Sequence, residues 1–351
     1  MKNKPIPSPL LSLVPIFVLV AMLGVTIYIF GSDALAGGSQ VCLLTATAFC
    51  VLIGMTMFKR TWKEYEEAMT TNIGNVGSAL IILLLIGALS GAWMVSGIVP
   101  TLIYYGIQII DPNFFLVSTC VICAIVSVMT GSSWTTIATI GIALLGIGKA
   151  LGVEEGWIAG AIVSGAYFGD KVSPLSDTTV LAATTTGTPL FSHIKYLMLT
   201  TVPSMIITLI IFTIAGLSYN STDAIDIAAY SQALDAKFDI SLWLLIVPIA
   251  TGLMIAKRLP SIVTLFLSAL LAIVFGIIFQ PELLKEIAGG GEGALTLAKG
   301  SMMTLFGSTS LDAGSEQINE LIATRGMSGM MDTIWLIICA MCFGGAMTAG
   351  G

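Results

Sequence analysis

GAYFGDKVSPLSDTT, Gly165 to Thr179, sets two aspartates and a lysine among strongly apolar segments. Asp170 and Asp177 are two turns apart, so an unbroken helix would carry both on one face. Pro174 argues against an unbroken helix. It has no backbone N–H to donate, and it pushes Ser173 out of helical angles. An ionisable group at membrane depth is expensive and by default marks a functional site. The expectation is a helix that stops inside an apolar layer, with its freed backbone and a carboxylate left at the break.

The rest of the chain supplies that layer. Hydrophobic residues make up 56% of it and charged residues 10%, where a soluble chain carries about 25% charged residues. Apolar blocks close to the ~20 residues needed to cross a bilayer run over Leu10–Phe30, Val41–Phe58, Ser78–Val99, Phe114–Thr130, Leu197–Leu217, Leu242–Ala256 and Ile262–Phe279, with another from Thr333 onward. Lys2 and Lys4 before the first block, and Ala34-Leu35-Ala36 after it, imitate a secretory signal. The block is too long for an apolar signal region of ~7–15 residues and reads as an uncleaved first span. Between Gly131 and Leu190 the pattern changes: Ile137–Ile147 and Trp157–Phe168 are short for full spans and lie among dense Gly, Ser and Thr. Short, interrupted apolar segments of this kind read as discontinuous or re-entrant helices. The fold class is therefore an all-α polytopic membrane protein.

Lysine and arginine set the orientation. Lys2, Lys4, Lys59, Arg60, Lys63, Lys195, Lys257 and Arg258 fall on the cytoplasmic side. The loop at Asp33 and the acidic Tyr219–Asp239 loop fall outside. A weak internal repeat follows, in which Leu89-Ser90-Gly91-Ala92 aligns with Phe343-Gly344-Gly345-Ala346. The first copy begins inside and the second outside, an inverted-topology repeat. The expected division is 1–217 for the first transmembrane repeat, containing ion-site segments 131–190, then an external acidic loop 218–241, then 242–351 as the start of the second repeat. The first copy continues for roughly 120 residues past the position matching Gly351, so the second is expected to be incomplete, since repeats come as whole units.

Hard oxygen ligands dominate the chemistry of the central segments. In Gly131–Thr139, GSSWTTIAT, helical spacing puts Ser132, Thr135, Thr136 and Thr139 on one face; hydroxyls there line an ion path or pack against a neighbouring helix. In the opening stretch, freed carbonyls, the hydroxyls of Ser173, Ser176, Thr178 and Thr179, and a carboxylate are what a small cation such as Na⁺ requires. The competing reading makes Asp170 and Lys171 a local ion pair at the membrane surface and Asp177 a helix cap. Glu154 and Glu155 read as a solvated turn, and His193, the chain's one histidine, as a loop or interface residue. The pairs Cys120/Cys123 and Cys339/Cys342 have CxxC spacing but no further ligands nearby, so they read as small packing residues. There is no HExxH or GxSxG motif for an enzyme, no basic patch for nucleic acid, and no expected cofactor.

Three segments then resemble a known family: GSSWTTIATIGIALLG (Gly131–Gly146), AGAIVSGAYFGDKVSPLSDTT (Ala159–Thr179) and GTPLFSHIKY (Gly187–Tyr196) are similar to the NhaC-type sodium/proton antiporters. The resemblance implies inverted repeats and exchange of cytoplasmic Na⁺ for external H⁺; some relatives exchange malate for lactate, which keeps an organic-anion exchanger as the alternative. It also implies a chain that continues past Gly351. The residues expected to hold Na⁺ or exchange the proton are Asp177 first and Asp170 second. Ser173, Ser176, Thr178 and Thr179 stand beside them, and Ser132, Ser133, Thr135 and Thr136 face them from the other broken helix. Burial raises an aspartate's pKa and a neighbouring cation lowers it, so one carboxylate can trade a proton for Na⁺. The expected partners are Na⁺, H⁺ and the lipid bilayer of the cytoplasmic membrane, with a homo-oligomer compatible and no nucleic acid.

Overall fold

A computed structural model describes residues 7–109, 111–174, 176, 178–179, 182–183, 186–218, 227–257, 259–312, 314, 319 and 322–351. The helices among them are α1 (Pro9–Phe30), α2 (Gly38–Met57), α3 (Trp62–Asn75), α4 (Gly77–Val95), α5 (Ile98–Ile109), α6 (Phe115–Thr130), α7 (Ser133–Thr136), α8 (Ile142–Ala150), α9 (Glu155–Val172), α10 (Leu190–Ser218), α11 (Ile227–Lys237), α12 (Ile246–Ala256), α13 (Ser261–Phe279), α14 (Pro281–Ile287), α15 (Ala294–Phe306) and α16 (Met331–Gly350). No strand occurs among the described residues, only an isolated antiparallel bridge between Thr309 and Thr324. Among the described residues, eight helices are long and apolar enough to cross a membrane. Large apolar side chains stand on their outer faces, Phe17, Val20, Leu52, Ile207 and Ile278 among them. So much exposed apolar surface marks a membrane-facing exterior. The protein is an all-helical, multi-pass membrane protein.

Contacts gather the chain into two compact units, Met1–Leu84 with Gly329–Gly351, and Leu85–Ser328. In the first, α16 packs on α2 and α3. A methyl at Gly345 would press into the backbone of Met69 and the Ala68 carbonyl. That close approach buries Cys50, Val51, Tyr65 and Ala346 together. Helix α3 was not among the expected spans. It begins with a capping box in which Glu64 accepts from the backbone N–H of Thr61 at 2.8 Å.

In the second unit, the expected span Ser78–Val99 stops at Val95. Gly97 has φ +81 and lies against the Gln280 side chain, so the chain turns there into α5. Ile98, Val99, Ile103 and Ile107 then bury the inner face of α5. Ile137–Ile147, expected to be short, belongs instead to a continuous run from Ser133 to Ala150 through a π-helical stretch at Ile137–Gly141. Residues Leu190–Pro203 carry α10 further toward the N-terminus than the expected start at Leu197, so His193 lies in a helical first turn rather than a loop. The acidic stretch contains α11, which with the segment starting at Leu242 forms a broken pair bent by 89°. Gln280 holds the corner: its Nε2 donates to the Asp239 carbonyl (3.0 Å) and its Oε1 accepts from the Asp239 N–H (3.2 Å).

Candidate functional site

The site is built on the α6–α9 pair, the most extensively packed helix pair among the described residues. Gly165 and Gly169, four residues apart on α9, make the approach. A methyl on Gly165 would run into the Cys120 carbonyl and Cys123, and one on Gly169 into the Ala124 carbonyl and Ser127. Small residues at this spacing let membrane helices come together backbone to backbone. Cys120 and Cys123, both buried free thiols, are thus packing residues on the receiving face. Two hydrogen bonds cross the interface in opposite directions. Ser127 Oγ donates to the Ala166 carbonyl (2.5 Å), and Ser173 Oγ to the Val128 carbonyl (2.7 Å). The second satisfies one of the four carbonyls that a helix end leaves unpaired.

Both helices then break at matching depth along the interface. Helix α6 ends in Gly131, left-handed at φ 66, whose N–H bonds the Ser127 carbonyl. Ser132 is extended and caps α7 by accepting from the Thr135 N–H at 3.2 Å. Thr136 Oγ1 donates to the Ser132 carbonyl (3.0 Å) and Thr139 Oγ1 to that of Thr135 (2.7 Å). Helix α9 ends at Val172, with Ser173 extended ahead of Pro174. The Lys171 carbonyl, freed by that ending, accepts from Thr179 Oγ1 at 3.2 Å, and the Asp170 carbonyl, which already takes the Ser173 N–H at 3.3 Å, accepts the same hydroxyl at 3.4 Å. Ser176 and Thr178 pair through their hydroxyls at 2.9 Å, and the Thr179 N–H turns to Ser176 Oγ at 3.4 Å.

One contact joins the two breaks: Ser133 Oγ donates to Asp170 Oδ2 at 2.9 Å. Ser133, Thr135, Thr136, Ser173, Ser176 and Thr179 are all buried, while Asp170 is half-buried. The Asp170 carboxylate thus meets the Ser133 hydroxyl at the junction of two interrupted helices, while the hydroxyls of Ser173, Ser176, Thr178 and Thr179 bond backbone carbonyls and one another along the α9 break. Among the described residues no three His, Cys, Asp or Glu side chains group as a metal cluster. Lys171 Nζ lies 4.9 Å from the Tyr167 ring centroid. Glu154 and Glu155 are exposed, and Glu155 pairs with Lys149 at 2.6 Å. Asp177 lies outside the described residues. Ser127, Gly165 and Gly169 went unnoticed in the sequence, although the small-xxx-small spacing of Gly165 and Gly169 was there to read.

The chain's sequence matches that of known proteins over most of its length. The family described as "Na+/H+ antiporter family" matches residues 165–351. The chain is 36% identical to the "Malate-2H(+)/Na(+)-lactate antiporter" of Bacillus subtilis, over 87% of this chain and 63% of that protein. It is 39% identical to the "Na(+)/H(+) antiporter NhaC" of Alkalihalophilus pseudofirmus, over 87% and 62%. An "Uncharacterized Na(+)/H(+) antiporter" of Haemophilus influenzae is 32% identical over 98% of this chain and 71% of its own length. The chain thus spans less than two thirds of the first two relatives. No solved structure matches it. With the family match covering more than half its residues, the chain belongs to the Na+/H+ antiporter family.

Proposed function

We propose that the protein exchanges Na⁺ for H⁺ across the cytoplasmic membrane, with the two cations competing for the carboxylate at the break in α9. The observation that carries this reading is the Ser133–Asp170 hydrogen bond, which ties two interrupted helices together at a half-buried carboxylate. Na⁺ bound at Asp170 would be completed by oxygens from Ser133, Ser173, Ser176, Thr178 and Thr179, with Ser132, Thr135 and Thr136 shaping the facing turn. Asp177 belongs to the same proposal from its place in the sequence. Only the proton-loaded or Na⁺-loaded carboxylate is neutralised, and only a neutralised site changes face cheaply, which couples the two fluxes. The names of the NhaC relatives support these substrates.

The proposal includes a cytoplasmic N-terminus. It divides the chain into a first repeat over 1–217, an external segment over 218–241 and an inverted second repeat from 242. The test is dequenching of a pH dye on Na⁺ addition to inverted vesicles. Asp170→Asn is expected to abolish it and Asp177→Asn to reduce it; wild-type exchange in both variants would refute the assignment. The malate/lactate relative favours a second reading, an organic-anion exchanger. An organic carboxylate calls for a guanidinium clamp, and among the described residues of the unit that holds Asp170, Arg325 stands exposed in a loop. Labelled malate uptake with and without internal lactate separates the two.

A further inference from the structure

Helix α10 gives the depth of the Asp170 break. Gly216, near the end of that helix, lies against the Asn113 carbonyl just ahead of α6. Phe212 meets Trp157, in the first turn of α9, edge to face at 6.3 Å. Met205 Sδ lies 3.9 Å from Cys120 Sγ, and the Cys120 carbonyl faces Gly165. Helix α10 therefore runs antiparallel to α6 and α9, with Met205, Cys120 and Gly165 at one level. At about 1.5 Å per residue, Asp170 stands about 7 Å past that level and Lys195 about 7 Å farther on, while Trp157 lies about 20 Å back from Asp170.

Glu154, Glu155 and Trp157 are exposed at the far end, Lys195 and Tyr196 at the near one. Charged and aromatic residues of this kind mark the two edges of the apolar layer. Transporter sites commonly lie near its middle; this break lies nearer the Lys195 edge. The far side is closed. Phe115 and Ile158, both fully buried, meet over Gly148 of α8, where an added methyl would come within 2.7 and 2.6 Å of them. Ile162 closes on Gly141 in the same way at 3.0 Å, and α6 touches α9 backbone at Gly165 and Gly169. On the near side Lys171, Pro174 and Thr178 are exposed. Irregular backbone at membrane depth is tolerated where protein covers it or water reaches it, so the exposed Pro174 and Thr178 call for water there.

We propose that the Asp170 break opens to the Lys195 face alone, with Phe115 and Ile158 as the plug that shuts it from the Glu154 face. On the reading of Asp170 as the ion site, on which this route rests, Na⁺ reaches the carboxylate from the Lys195 face, the cytoplasmic one in the proposed orientation, without passing between α6 and α9. A site open to both faces at once would pass Na⁺ with no proton in return. The plug is therefore a condition of coupled exchange.

The test is labelling of single introduced cysteines by a charged, membrane-impermeant maleimide, in right-side-out and inverted vesicles carrying the protein, with the unsubstituted protein as the blank for its own thiols. Lys195→Cys and Glu154→Cys mark the two faces. Thr178→Cys and Lys171→Cys are expected to react at least about tenfold faster from the Lys195 face than from the other, which close-packed apolar side chains seal. Ile158→Cys is expected to react from neither. Comparison with Lys195→Cys makes the result independent of which face is cytoplasmic. None of these rates requires an ion at Asp170, so a failure here is distinct from a failure of Asp170→Asn in the exchange assay. Reaction of Thr178→Cys and Lys171→Cys from the Glu154 face, equally from both faces or from neither would overturn the proposal, as would reaction of Ile158→Cys from the Glu154 face.

Discussion

Replacing Gly169 by alanine tests how the site is positioned, independently of what it binds. The added methyl would sit 2.5 Å from Ser127 Cβ and 2.7 Å from the Val128 nitrogen, and would overlap the Ala124 carbonyl. Two of these three are backbone atoms of α6, which cannot swing aside as the tip of a side chain can. The helices must separate by about 1 Å to restore contact, an overpacking cost of about 1–3 kcal/mol. Alanine recovers about 1 kcal/mol of helix propensity over glycine, so the net is a loss of up to about 2 kcal/mol. Separation on that scale also stretches Ser127–Ala166 and Ser173–Val128, now 2.5 and 2.7 Å, to the edge of hydrogen-bond range or past it. It withdraws Asp170 from Ser133 as well.

The assay is thermal unfolding of the purified protein in detergent, paired with half-saturating Na⁺ for exchange in vesicles. Gly160→Ala is the control: it lies on the same helix, and its methyl would find only Phe212 Cζ at 4.0 Å. Gly169→Ala is expected to lose a few degrees and to raise half-saturating Na⁺ several-fold, while Gly160→Ala matches or exceeds the wild type. Equal melting of the two variants would refute the close-approach reasoning.

Three further outcomes follow from other contacts. Ser133→Ala removes a hydrogen bond to a charged group worth about 1.5–3 kcal/mol; with Asp170 half-buried and water able to replace part of it, half-saturating Na⁺ is expected to rise about tenfold with little change in melting. Ser268→Ala strands the buried Trp93 Nε1, which donates to Ser268 Oγ at 3.1 Å, and should cost about 1–3 kcal/mol by thermal unfolding, whereas Trp93→Phe with Ser268→Ala should recover part of the loss. Gln280→Ala releases both backbone bonds at Asp239, which should be seen as faster amide exchange at Phe238–Ser241, with no change there overturning its role as the corner clamp.

What the sequence made legible was what single residues dictate locally. Pro174 forbids a continued helix, Gly131 ends one, and both breaks fall where they were expected. The capping box at Thr61 and Glu64 was equally local and announced α3, but its charges masked it as a connector. Gly97 was hidden for the opposite reason. It lies inside an uninterrupted apolar run, and nothing in that run distinguishes a turn from a span until Gln280, far along the chain, is packed against it. The Ser133–Asp170 bond joins residues 37 positions apart; composition could propose both as ligands but could not pair them. The Asp239 clamp was illegible because an amide bonding to a backbone leaves no complementary residue to read.

The central claim is that Na⁺ and a proton compete for Asp170, and proton release tests it most directly. Na⁺ is added to purified, unbuffered protein in detergent, and released protons are followed with an indicator dye, in the wild type and in Asp170→Asn. The account predicts saturable release in the wild type and none in Asp170→Asn, with K⁺ at matched ionic strength giving no signal in either. Undiminished release from Asp170→Asn would contradict it.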